Sequence, residues 1–127
     1  MLFRSDDAFY RCSGLQSITI PSGVTSIGGY AFCDCSNLES IKVDENNRVY
    51  DSRENCNAII EKSSNKLVVG CKNTKVPSGV TSIGLDAFNG CRGLTSITLP
   101  ESVTEIDDAA FSDCNGLTNI VDRKSVV

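Results

Sequence analysis

Histidine and tryptophan are absent from this chain of 127 residues, and methionine occurs once. The lack of histidine removes the usual general base, the Ser-His and Cys-His nucleophile pairs, and most transition-metal sites. Aromatic residues make up only 6% of the chain, so we expect a thin core rather than one large globular core. The residues that hydrolytic enzymes usually need are therefore missing, and we expect no catalytic residues and no cofactor.

Long hydrophobic runs and clusters of basic residues are also missing. No stretch approaches 18 apolar residues, so membrane insertion is not expected. The net charge of −4 without a basic cluster argues against nucleic acid or anionic membranes as partners. With 40% apolar and 22% charged residues, the chain has the composition of a folded, globular protein.

One unit recurs along the chain. The pattern Ala-Phe-x-x-Cys-x-x-Leu begins at Ala8, Ala31, Ala87 and Ala110. A step of 23 residues separates Phe9 from Phe32 and Phe88 from Phe111, which lies in the range of leucine-rich and related solenoids. The three prolines share one position of this unit: Pro21, Pro77 and Pro100. The repeat therefore determines the predicted fold.

The middle of the chain departs from the repeat. Val43 and Val76 occupy the same position of the unit but lie 33 residues apart, so the coil from residue 44 to residue 75 carries ten extra residues. Two β-rich runs, 57–61 and 66–70, flank the polar stretch 62–65, which predicts an inserted β-hairpin. We predict one domain over residues 1–127, with five strand positions.

The unit A-F-x-x-C-x-x-L-x-S-I-x-I-P-x-x-V-T-S-I-G resembles the BspA-like (Treponema pallidum-type) leucine-rich repeat, from Asp7 to Val121. This resemblance implies an α/β, β-rich, right-handed superhelix of about five coils with short parallel strands. It also implies a non-catalytic protein-interaction or adhesion module of a larger bacterial cell-surface or secreted protein, with a host or bacterial surface protein as partner. The departures are Asp44 where proline is expected, and Thr74 in an isoleucine position.

Two other functions are open at this point. In the first, the repeats are an accessory to a catalytic domain outside this fragment. In the second, they are a structural spacer. The flanking gene sequence would decide the first, and a ligand for the isolated repeats would count against the second.

Alternation along the strands predicts a solvent-facing surface. We call it the candidate binding face, and because it has no Trp or Tyr to anchor a partner, we expect weak binding by a single copy. Its residues are Ser17, Thr19, Ser40, Lys42, Asn73, Lys75, Ser96, Thr98 and Asn119.

Seven cysteines are the most conspicuous reactive groups. Cys12, Cys35, Cys91 and Cys114 share one position, where small buried hydrophobic side chains are expected; disulfides along the ladder and a metal site are the alternatives. Cys33 and Cys56 lie outside the main positions of the repeat and are predicted to be exposed thiols.

Two further predictions concern the turns. Acids before the Ala-Phe pair are expected to cap a short helical turn, with a cation site as the alternative: Asp6, Asp7, Asp86, Asp107 and Asp108. A column of glycine and asparagine just before each strand is expected to have a positive φ angle: Gly14, Asn37, Gly70, Gly93 and Gly116.

The two ends lose the repeat. Residues 2–5 and 122–127 resemble the translation of a common sequencing adapter in its two orientations, so 1–6 and 122–127 are expected to be non-native flanking residues, with natural frayed termini as the alternative. No signal is then expected in the fragment, even if its parent is surface-exposed or secreted. Uncapped ends expose apolar ladders, which predicts self-association through the ends or through the 57–70 hairpin.

Overall fold

A computed structural model describes residues 14–28 and 31–122, which hold nine short strands and one 3-10 turn at Arg53–Asn55. The chain forms a β-rich solenoid of about five turns with a coil length of roughly 23 residues, as predicted. The strands are β1 (Ser17–Ile20), β2 (Ser40–Val43), β3 (Tyr50–Asp51), β4 (Ile59–Glu61), β5 (Lys66–Val69), β6 (Ser82–Ile83), β7 (Ser96–Leu99), β8 (Glu105–Ile106) and β9 (Asn119–Asp122).

The Ser-Ile strands of successive repeats pair in parallel. β1 pairs with β2 so that Ser17 lies opposite Ser40, and β7 pairs with β9 so that Ser96 lies opposite Asn119. Residues at the same position of the unit are therefore neighbours in space. Apolar and polar residues alternate along each strand. Ile41 in β2 and Ile97 in β7 are therefore buried, while Lys42 and Thr98, the residues that follow them, are exposed.

The inserted hairpin lies inside a second sheet of five strands, in the order β3-β4-β5-β6-β8. β4 runs antiparallel to both of its neighbours, β3 and β5, whereas β5, β6 and β8 are parallel. The antiparallel pairing of β4 with β5 around a turn at 62–65 confirms the predicted hairpin. Both of its strands have partners on each side, so the hairpin does not project from the solenoid.

The hairpin also divides the hydrophobic core. Ile59 packs in one cluster with Phe32 and Ile41, and Ile60 packs in the other with Phe88. Both isoleucines are fully buried, because adjacent residues of a strand point to opposite faces. The insertion thus acts as an internal partition that both halves of the solenoid pack against.

The coil from residue 44 to residue 75, the third along the chain, lacks an Ala-Phe pair, and Phe88 of the next coil fills the space. The Asp34 N–H donates to the Asn89 carbonyl (3.1 Å), which places the Ala-Phe segment of the second coil directly on that of the fourth. A Cβ atom at Gly70 would lie 2.2 to 2.7 Å from the Phe88 ring. Gly70 is therefore required for close packing.

The prediction of a left-handed column just before each strand is wrong. None of the five residues in that column has a positive φ angle. The left-handed position instead directly precedes the repeated cysteine, where the chain reverses, and Gly or Asp there tolerates this conformation best. Its members are Asp34 (φ 61°), Gly90 (φ 80°) and Asp113 (φ 56°).

The predicted helical turns after the acids are also wrong within the described residues. The segments following Asp86 and Asp107 are turns rather than helix. Asp86 itself has φ 57° and its Oδ1 accepts a hydrogen bond from Asn89 Nδ2 (2.9 Å), while Asp107 lies 3.4 Å from Lys66 Nζ. Asp6 and Asp7 lie outside the described residues. In the described part of the chain, no group of three or more His, Cys, Asp or Glu residues is arranged to hold a metal ion.

Alanine at two glycines, neither of them at the repeat position of Gly90, tests where else the backbone is left-handed. Gly79 has φ 98° with open space around its missing Cβ, so Gly79→Ala is expected to cost about 1–2 kcal/mol of unfolding free energy. A Cβ at Gly14 meets nothing within 4 Å, and Gly14 has no positive φ, so Gly14→Ala should be neutral or stabilise by up to about 1 kcal/mol. Urea denaturation of both variants measures the difference. Equal losses would contradict the positive φ angle at Gly79.

Candidate binding face and the groove within it

The predicted face is solvent-exposed but divided into two halves. β1 and β2 carry Ser17, Thr19, Ser40 and Lys42 on one half, and all are exposed except Ser40, which is half-buried. The other half lies on β7 and β9, with Ser96, Thr98 and Asn119 exposed. Asn73 and Lys75, expected in a strand between the halves, are exposed but lie outside the strands.

Side chains of the insertion end the first half at β2. The Ile41 N–H donates to Asn57 Oδ1 (3.4 Å), and the Val43 N–H donates to Ser52 Oγ (2.9 Å). A following parallel strand would normally accept these two bonds. The inserted segment therefore replaces a neighbouring strand at this edge.

Thr74 holds the intervening segment away from strand geometry. Its Oγ accepts a hydrogen bond from the Cys71 N–H (2.8 Å) and donates to the Asn57 carbonyl (2.6 Å). The next donor, the Lys75 N–H, bonds to the Cys56 carbonyl (3.0 Å). The expectation of five equivalent strand positions is therefore wrong at residues 72–76, and the threonine in an isoleucine position was the signal of this departure.

A groove of about 570 Å³ opens where the sheet is interrupted. Residues 72–76 form one wall, and β7 with Pro100 forms the other. Four residues of the candidate binding face line it: Asn73, Lys75, Ser96 and Thr98. Strand alternation predicted that Ser96 and Thr98 face outward, whereas Asn73 and Lys75 are exposed without forming a strand. Spacing alone did not predict the groove.

Two lysines give the groove a positive character. Lys72 Nζ lies 3.2 Å from Glu39 Oε1, so its charge is partly offset. Lys75 is exposed and, among the described residues, forms no ion pair. No acidic residue lines the groove, although the whole chain has a net charge of −4.

The positions of the cysteines agree with the prediction only in part. Cys35 and Cys91 are buried as expected and Cys114 is half-buried, while Cys12 lies outside the described residues. Cys33 and Cys56 are also buried, with 4% and 2% of their surface exposed, so their prediction as exposed thiols is wrong. Position in the repeat could not show that the insertion and the fourth coil cover them.

Burial keeps these thiols protonated. It raises the pKa of Cys33 to about 12, with the nearby Asp86 and Asp34 charges adding to the effect. It raises the pKa of Cys56 to about 11, and the pKa values of Cys91 and Cys114 move in the same direction. Because the thiolate is the reactive form, these side chains are poor nucleophiles at neutral pH.

Thiol labelling tests this arrangement directly. At pH 7 we expect iodoacetamide to modify Cys114 well before Cys33, Cys56 or Cys91, since Cys114 alone among these four is partly exposed. Raising the pH to about 9 should still leave Cys33 and Cys56 slow, because their pKa values lie above it. Peptide mapping by mass spectrometry gives the order. Early labelling of Cys56 in the native protein would contradict it.

The repeats of this solenoid match a known family. Six copies of the BspA type leucine-rich repeat region match the chain, over residues 4–56 and 58–127. The chain belongs to the BspA-type leucine-rich repeat family. Stacked repeats of this kind present an extended surface suited to binding other proteins. No curated protein matches this BspA-type chain significantly.

Solved structures of bacterial proteins share the fold. The pneumococcal vaccine antigen PcpA is 23% identical over 84% of this chain, with a TM-score of 0.69. A leucine-rich repeat protein from Eubacterium ventriosum is 23% identical over 84% of the chain (TM-score 0.58), and one from Bacteroides ovatus is 33% identical over 90% (TM-score 0.52). The BspA-type chain spans only 27% to 36% of the length of these proteins.

In residues 14–28 and 31–122 of the BspA-type chain, no helix has the length and hydrophobicity needed to cross a bilayer.

Proposed function

We propose that the chain is a non-catalytic protein-interaction module that contributes to adhesion as part of a larger bacterial cell-surface or secreted protein. The observation that carries this proposal is the outward polar face on the paired strands β1–β2 and β7–β9, built by BspA-type repeats. The family match over residues 4–56 and 58–127 supports a repeat protein-interaction module. Its partner is a host or bacterial surface protein.

The buried thiols support a role without covalent catalysis. A catalytic cysteine needs a lowered pKa, whereas burial raises the pKa of Cys33 and Cys56. The chain also has no histidine to serve as a general base.

A tandem array of this chain tests the proposal. Beads coated with the array should adhere to bacterial or host cells more strongly than beads coated with one copy, because several weak contacts act together. Replacing Lys42 and Lys75 with glutamate should reduce adhesion, since both are exposed on the candidate binding face. Adhesion equal to that of uncoated beads would contradict the proposal. If the two substitutions leave adhesion unchanged, a surface other than the candidate binding face binds the partner.

We also propose self-association through the β8–β9 side of the solenoid. Ile106, Ile120 and Val121 are exposed there, by 50%, 48% and 39%, and β8 and β9 are edge strands among those described. The hairpin is the weaker route, because its strands are paired on both sides. Light scattering should show a mass that rises with concentration and falls again in Ile120→Lys. A monomer at millimolar concentration would contradict the proposal.

A further inference from the structure

Among the described strands, β7 pairs with β9 on one side only. Successive residues of a strand direct their backbone groups to opposite neighbours. In β2 the Ile41 and Val43 N–H groups point toward the insertion, whereas the Ser40 N–H points back to the first coil, where it donates to the Gln16 carbonyl (3.2 Å). This strand fixes the direction for each position of the repeat.

β7 occupies the same position of the repeat as β2. Ile97 and Leu99 correspond to Ile41 and Val43, so their backbone groups point onward to β9, which pairs with β7. Ser96 and Thr98 point their N–H and C=O groups back toward the groove. Within the described residues, no strand pairs with β7 on that side, and residues 72–76 form no backbone hydrogen bond with it.

The two edges exposed by the interruption are therefore treated differently. Ser52 and Asn57 satisfy the edge of β2, and Cys56 accepts the Lys75 N–H. Nothing in the described chain does the same for Ser96 and Thr98. An unpaired strand edge beside a groove is the arrangement to which extended peptides add as an extra strand.

We propose that this groove binds an extended acidic peptide segment of a partner protein, whose backbone pairs with Ser96 and Thr98 and whose carboxylates face Lys75 and Lys72. The inference rests on the proposed protein-interaction function and names the chemistry of the partner. A volume of about 570 Å³ is in the range of known ligand sites.

The positive charge of the groove favours a negatively charged partner segment. The groove is lined by two lysines and no acidic residue, in a chain whose net charge is −4. Electrostatic complementarity of this kind selects partners. No aromatic side chain lines the groove, so the stacking platform that single-stranded nucleic acids use is missing.

Fluorescence polarisation with synthetic peptides tests the proposal. The probe is a short peptide of alternating glutamate and valine, compared with a lysine–valine peptide and with an N-methylated glutamate–valine peptide that lacks backbone donors. We expect saturable binding of the first peptide with a dissociation constant of about 0.1–1 mM. The other two peptides should bind at least about fivefold more weakly, because one carries the wrong charge and the other cannot pair as a strand.

Two variants locate the site. Lys75→Glu should weaken binding at least about fivefold by reversing the facing charge, while Arg48→Glu, the same charge change at an exposed residue outside the groove, should leave it unchanged. Thr98→Pro removes the N–H that points into the groove, and proline is tolerated at an open strand edge, so it should abolish strand pairing without loss of the β7–β9 bonds.

The outcomes separate this inference from the proposed function. Equal binding of the N-methylated peptide would overturn strand pairing, whether or not Thr98→Pro folds. Equal binding of the lysine–valine peptide would overturn the partner chemistry. If no peptide binds while the tandem array still adheres to cells, the inference fails and the adhesion function stands.

Discussion

Phe88→Ala is expected to lower the free energy of unfolding by about 3–5 kcal/mol, the range for a fully buried phenylalanine. The Phe88 side chain is completely buried. Its ring stacks on Phe111, with centroids 5.1 Å apart and planes at 8°, and covers Gly70 where the third coil has no Ala-Phe pair of its own. The side chain thus contacts two other coils, and its truncation should leave a cavity between them.

Urea denaturation followed by circular dichroism measures this loss. Phe88→Leu is the matched variant, since it keeps most of the apolar volume and should cost about 1–2 kcal/mol. A loss below about 1 kcal/mol for Phe88→Ala would mean that the coils do not stack through this ring, and the account of the third coil would be wrong.

Asn47→Ala is expected to cost about 2–4 kcal/mol, because four hydrogen bonds to backbone groups are lost at once. Asn47 is 1% exposed. Its Nδ2 donates to the Pro21 and Val24 carbonyls, each at 2.9 Å, and its Oδ1 accepts from the Val49 and Tyr50 N–H groups at 2.8 and 2.9 Å. One side chain therefore joins the turn of the first coil to the start of the insertion.

The neighbouring Asn46 provides the control. It is exposed, and Asn46→Ala should change the unfolding free energy by less than about 0.5 kcal/mol. Asn47→Asp should be nearly as damaging as Asn47→Ala, since a carboxylate accepts hydrogen bonds but cannot donate to the two carbonyls. Thermal melts of the three variants give the comparison. Similar stability of the Asn46 and Asn47 alanine variants would show that these bonds do not hold the insertion in place.

The repeat predicted most of the fold, because equal spacing places equal residues side by side. The register of Ser17 with Ser40 and of Ser96 with Asn119 follows directly from it. The hairpin at β4 and β5 was likewise predictable, from two β-rich runs around a polar turn. These features depend on local pattern, which a single sequence contains.

Features that depend on contacts between distant segments could not be predicted in this way. Spacing suggested a strand at residues 72–76, but hydrogen bonds from Thr74 and to Asn57 compete with strand pairing there. Spacing also gives a position within the repeat without its backbone conformation, so the left-handed residue was assigned to Gly93 instead of Gly90. Alternation along the strands predicted which side chains of β1, β2, β7 and β9 face outward, while the division of the candidate binding face by a groove depends on how the insertion folds back on β2.

Amide hydrogen exchange along β7 tests the central claim of an interrupted sheet most directly. The backbone groups of Ile97 and Leu99 pair with β9, whereas those of Ser96 and Thr98 face the groove. NMR of the free protein should therefore show the Ser96 and Thr98 amides exchanging at least about tenfold faster than those of Ile97 and Leu99. This ratio corresponds to a difference of about 1.4 kcal/mol in opening free energy. Equal protection of all four amides would mean that a strand already occupies the groove side of β7, and would contradict the account.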